Sequence, residues 1–476
     1  MSTLALRASP LEHNAYRRLS RADEIGADLA YCAAQTPPAE VLALGLTAGG
    51  RPLQALRLPA QSGAQPCLRV LLVASQHGAG EAAGGEAILQ IARALIAGGL
   101  AGARESIEFV LVADANPDGR DLDSNRNANG SNLNRDFVLL SQPEARALNR
   151  LLLRFAPHVV LDLHESAVLK PRTLARTGFM TDFETQFDCA NHPALPRALR
   201  DYAEHELLPR LIAGVNAAGT RAQRYLGEIV SLTQAVTHGD LSARKFRNKA
   251  GLTGALSFLL ETRLDPRDGD YPSFRNIAVR VAKQVLAVTV FLRLLTVQRI
   301  AIVELLAAHA HSSEPMILSA RYVSSGDGRA LRIPLQAIAD ATLHEMAFPD
   351  HRTVAHGPSL ALPRGYWITD HVAEFARFLG AHGIACSRLA TARRASVVAQ
   401  DFVMDAADGR PRWQQDRHIE QWLPAGTLAV PAPADRARLL GTLLEPRASS
   451  SVFRYRAYRR LLERAPEFFI LRDRPL

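Results

Sequence analysis

Three apolar runs that each end on an ionisable residue constrain this chain more than any other feature. LRVLLVASQH reaches His77, HVVLDLH reaches His164, and ALSFLLETR carries Glu261 near its end. Each reads as a strand, and along ALSFLLETR both period-2 faces are largely apolar, the texture of a buried strand. A fourth run, SIEFVLVADANPDG, has the same character and stops at a turn. Between them lie EAILQIARALIAGGL and PEARALNRLLLRF, which repeat apolar residues at helical spacing. Strand, helix and strand alternating in this way predict an α/β sheet with helices on both faces.

The 476 residues allow two or three domains with ample core, and 47% apolar against 22% charged residues exclude a disordered or fibrous chain. The formal charge is +9, and only four of the 56 basic residues are lysines, namely Lys170, Lys245, Lys249 and Lys283. With no dense basic block, a nucleic-acid partner is not expected. Cys32, Cys67, Cys189 and Cys386 form no CxxC pair, which argues against a disulfide framework or a cysteine metal site and suits a reducing compartment. Arg7 and Glu12 interrupt any apolar run at the N-terminus, so no leader is read and a cytoplasmic location is expected. The most apolar stretch, Val285–Leu292, lies between Lys283 and Arg293, short of the ~20 residues a spanning helix needs, so no membrane association is expected.

A long amphipathic helix is predicted over residues 276–311. Beyond Ser312 the texture changes to short strands, Gly/Pro turns and two helices, which divides the chain into a domain of residues 1–311 and a smaller α+β domain of residues 312–476.

The candidate chemistry gathers at the strand ends. His77 and His164 with Glu81 offer two imidazoles and a carboxylate, the three-ligand set of a catalytic zinc site with one open position. Asp162 shares a strand face with His164 and could orient it, or hydrogen-bond a nearby amide instead. The polar stretch 116–137 is far longer than a turn requires, and loops of that size in compact domains tend to be functional. It carries Arg126 and the pair Asn134–Arg135, planar donors suited to a carboxylate or a polarised carbonyl. Glu261 terminates a buried strand, where a carboxylate needs a reason. General-base work beside an activated water is one, and pairing with Arg263 or Arg275 is another. The cluster RKFRNK (residues 244–249) reads as a solvated surface turn, or alternatively as a rim favouring acidic peptides.

In their order along residues ~40–265, these landmarks resemble the zinc carboxypeptidases of the carboxypeptidase A type. TAGGRPLQAL looks like the family's early strand pair and QHGAGEAAGGEA like its first zinc motif. NPDG, RNANGSNLNRDF, DLHES and SFLLETR then follow in family order. The resemblance implies a mixed, mostly parallel twisted sheet flanked by helices, with one zinc ion per chain held by His77, Glu81 and His164. It implies Glu261 as general base, Arg126 as the group polarising the scissile carbonyl, and Asn134 with Arg135 as the clamp on a peptide's free C-terminal carboxylate. Two departures stand out. Three residues, Gly78, Ala79 and Gly80, separate His77 from Glu81 where the family has two, and the Gly-Ala-Gly turn is expected to absorb the extra one. The family's substrate-capping tyrosine has no motif match, with Tyr225 and Tyr271 both available. Two other readings are a deacylase of N-acyl amino acids on the same fold, similar to aspartoacylase, and a metal-free binding protein for an anionic partner.

Overall fold

The protein is represented by a computed structural model that describes residues 6–473 apart from 64, 101, 168–172, 265–275, 311, 327, 329, 406, 408–410, 464 and 466. Tyr271 and Arg275 therefore lie outside the described residues.

An eight-stranded sheet organises the first part of the chain. Its strands are β1 (Glu40–Leu46), β2 (Pro52–Leu58), β3 (Leu68–Ala74), β4 (Ile107–Val112) and β5 (Val159–Ala167), with β7 (Thr185–Cys189), β8 (Ala222–Arg224) and β9 (Leu256–Leu264) after a short strand β6 (Phe179–Thr181) that lies elsewhere. The order is β1-β2-β4-β3-β5-β9-β7-β8. The central strands β4, β3, β5 and β9 run parallel, as the family resemblance implies, while β1, β2 and β7 join antiparallel. Helices cover both faces. Ala83–Ile96 and Ile277–His309 bury Ile88, Leu95, Val288 and Leu292 on one side, and Pro143–Phe155 buries Leu148 and Leu152 on the other.

The helix Ile277–His309 is longer than its most apolar core. By length and composition alone it could cross a membrane, because its apolar stretch extends well past Leu292. Its basic residues near the start are matched within the fold: Arg280 grips Glu165, and Lys283 lies 3.4 Å from Glu184.

Strands from Gly365–Ile368 onward form a six-stranded antiparallel sheet with the helices Val372–Ala381 and Ala434–Leu444, around a core that includes Phe375, Phe378, Phe453, Phe468 and Phe469. One hairpin, Ala330–Ala337 with Leu343–Pro349, joins neither large sheet. It pairs instead with β6, placing Leu335 opposite Thr181 and Ala337 opposite Phe179. Ile333, Leu335 and Phe348 from this hairpin pack with Leu174, Phe183 and Ile229 in one apolar cluster.

Candidate metal centre and substrate cavity

β3 ends at Ala74, and Ser75 turns the chain with a φ of 60°. His77 then opens a 3₁₀ turn over Gly78–Glu81. Gly78 has a φ of +52°, and a Cβ there would sit 2.5 Å from the backbone carbon of Gly119 and the carbonyl oxygen of Ser124. Only glycine fits that approach. The turn resolves the extra residue of the motif, since it brings Glu81 back over both histidines. Glu81 Oε1 is 4.0 Å from His77 Nε2, and Oε2 is 2.7 Å from His164 Nδ1. The two imidazole rings are 5.3 Å apart at their centroids. One donor atom from each of His77, Glu81 and His164 lies within 4.8 Å of the other two.

The motifs around this cluster hold it in place. Asn116 of the NPDG turn donates from Nδ2 to the carbonyl of Gln76 at 3.2 Å, and its Oδ1 accepts the amide of Gly119. Asp118 accepts from Thr47 Oγ1 and the Gly49 amide, which docks the TAGGR turn against the same segment. Glu86, the second glutamate of the QHGAGEAAGGEA stretch, is occupied by Ser20 and Arg120. Glu165 takes both arms of the Arg280 guanidinium at 2.8 Å and accepts the Ala83 amide.

Charges at the centre are strongly coupled to burial. Burial alone would raise the Glu81 carboxyl, but the charges of His77 and His164 and the hydrogen bond from His164 hold it down at about 2. Burial opposes protonation of His164 as well, yet Asp162 and Glu81 outweigh it and drive the ring well above its ordinary value. Burial lowers His77. Two imidazoles and a carboxylate, one histidine buried and the other two groups half-buried, converge as the donor set that suits zinc, so the residues present fit the metal.

His164 and Glu261 are register partners on the parallel strands β5 and β9. Glu261 Oε2 accepts from Ser166 Oγ at 2.7 Å, and burial pushes the Glu261 carboxyl up to about 7. Arg263, the alternative partner, pairs with Glu184 instead.

His77, Glu81, His164, Glu261 and Asn134 line one cavity, together with Tyr225, Ser166 and Lys245. Asn134 lies in the 3₁₀ turn Leu133–Arg135, where its Oδ1 accepts the Phe246 amide and its Nδ2 is 3.1 Å from His164 Nε2. The two arginines expected beside it are placed differently. Arg126 is exposed, and its guanidinium donates to the Gly130 carbonyl within its own loop at 2.9 Å. Arg135 is exposed because the turn that points Asn134 inward carries its neighbour outward. Neither is among the residues lining the cavity. The RKFRNK segment also departs from expectation. Phe246, Arg247, Asn248 and Lys249 are buried in the helix Phe246–Leu252 rather than solvated, with Arg247 on Asp188 and Lys249 on His382. Lys245, just before that helix, is the residue that sequence reasoning left in a surface cluster; the only signal for it was its place shortly before the Glu261 strand.

Residues 26–150 match the zinc carboxypeptidase family model. The match takes in His77 and Glu81, whereas His164, Lys245 and Glu261 lie beyond it. The chain is 29% identical over 201 residues to a probable carboxypeptidase 2 of Trichophyton verrucosum, covering 41% of this chain and 38% of that protein. A carboxypeptidase 2 of Trichophyton rubrum is 28% identical over 200 residues, covering 41% and 37%. The chain thus spans well under half the length of the curated relatives it matches. Among solved structures, a metallo-carboxypeptidase from Burkholderia cenocepacia is similar over 59% of this chain and 71% of that one, at 20% identity and a TM-score of 0.44.

Proposed function

We propose that the protein is a zinc-dependent metallocarboxypeptidase that hydrolyses the C-terminal peptide bond of peptides. The observation that carries this reading is the convergence of His77, Glu81 and His164 at one cavity that Glu261 also lines. The zinc carboxypeptidase match over residues 26–150 and the relatives named carboxypeptidase 2 support it.

His77, Glu81 and His164 would hold the metal. Zinc, when bound, supplies Lewis acidity that acidifies a water and polarises a carbonyl. Glu261 is the general base. Ser166 Oγ occupies its Oε2, which leaves Oε1 to take the proton from the attacking water and return it to the leaving amine. Asn134, its orientation set by the Phe246 amide, lines the same cavity and offers a polar group to the substrate.

Metal analysis of protein purified without chelator, paired with hydrolysis of blocked dipeptides, tests the reading. About one zinc per chain and turnover that chelator abolishes and zinc restores are expected. A chain that binds no zinc and cleaves no peptide would overturn it.

A further inference from the structure

Among the described residues, Lys245 is the only lysine or arginine lining the cavity that holds the metal cluster. Its surroundings explain why it points to a ligand rather than to the fold. The nearby carboxylate of Asp240 is engaged by both Arg244 Nε and Nη2, and Glu165 is taken up by Arg280. Glu261, which lines the same cavity, accepts from Ser166. The Lys245 ammonium itself makes no hydrogen bond or ion pair among the described residues. Burial lowers its pKa, and the positive charges of Arg135 and Arg244 add to that effect, against the carboxylates of Asp240 and Glu261. A half-buried ammonium without a partner gains from an anion that enters with the substrate.

The backbone sets its position. The amide of Phe246, the next residue, donates to Asn134 Oδ1 at 2.9 Å, so Lys245 and Asn134 are held side by side at one wall. Lys245 lines the same cavity as His77 and Glu261.

We propose that Lys245, with Asn134 beside it, is the anchor for a substrate carboxylate, at a cavity wall that Arg135 does not line. The inference rests on the metallocarboxypeptidase reading and names its substrate class: peptides that present a carboxylate to this wall. That carboxylate comes either from the C-terminus or from an acidic C-terminal side chain.

Steady-state kinetics on peptides ending in Leu, Glu or Lys, each as free acid and as amide, test this on wild type, Lys245→Met and Lys245→Arg, with zinc content as the check on folding. Lys245→Met should raise KM about 10- to 100-fold for the recognised carboxylates with little change in kcat, and Lys245→Arg should recover most of the loss. A loss on all free acids assigns the terminal carboxylate, and a loss confined to Glu peptides assigns the side chain. Unchanged KM throughout overturns the proposal while leaving the zinc peptidase reading intact. Should the wild type cleave none of these peptides, that reading fails separately. Calorimetric titration with hippurate and hippuramide then still decides on Lys245: weaker hippurate binding by Lys245→Met, with hippuramide unaffected, supports the anchor, and equal binding overturns it.

Discussion

Asp162 and His164, two residues apart on β5, meet at their side chains, with Asp162 Oδ1 3.0 Å from His164 Nε2. Nε2 of His164 thus faces Asp162, and Nδ1 is the nitrogen that faces Glu81. Gln76 donates to the same Oδ1 at 2.5 Å and links this orientation to the loop carrying His77.

Asp162→Ala should therefore weaken zinc binding about 10- to 100-fold without removing a ligand. Competition titration against a chromophoric chelator measures it. Affinity equal to wild type would show that His164 is oriented by something else.

Glu261→Gln is expected to keep zinc and lose about 10²- to 10⁴-fold in kcat. Its metal-free form offers a second readout. The folded-state pKa of Glu261 is raised, from 4.5 to about 7, so between those values the native state binds more protons than the unfolded state. Stability contributed by this group falls as pH rises through that window. The melting temperature of Glu261→Gln should accordingly gain on wild type from about pH 4.5 to 7, with the gap constant above. A gap that does not change with pH would mean that Glu261 ionises normally.

Gly78→Ala places a Cβ against the backbone of Gly119 and Ser124 in a left-handed conformation. The expected cost is at least about 1–3 kcal/mol, with weakened zinc binding because His77 adjoins the strained turn. Urea unfolding and metal titration read the two effects. Full zinc affinity in a destabilised protein would separate the turn from the metal centre.

Phe348 is fully buried in the cluster that also contains Leu174, Phe183 and Ile229, three residues lining the cavity. Phe348→Ala should cost about 3–5 kcal/mol and raise KM more than it lowers kcat, because it loosens the wall and not the metal ligands. An unchanged KM would make the 330–349 hairpin a support for the fold alone.

The residues differ in how far they could be read from sequence. The apolar runs ending at His77, His164 and Glu261 announced their strands, because continuous Val and Leu need cover on both faces wherever the chain goes. Glu81 was accessible by local reasoning, since a Gly-Ala-Gly turn is flexible enough to accept one more residue. Arg126 and Arg135, expected beside Asn134 from sequence order, are exposed and do not line the cavity. Which member of a polar loop faces inward depends on a 3₁₀ turn and on the contact between Asn134 and Phe246, 112 positions away. The buried state of Lys249 was equally hidden, because its partner His382 is 133 residues distant.

By itself, then, the sequence determined the alternating strands and helices of an α/β sheet, the order of its strand ends and the donor types available for a metal. Each follows from periodicity and local turn chemistry. Only the tertiary structure decided that Lys245 rather than Arg135 lines the cavity, and that a hairpin from residues 330–349 backs its wall. Those outcomes rest on contacts between distant segments, and no local pattern encodes which side chain a distant segment will cover.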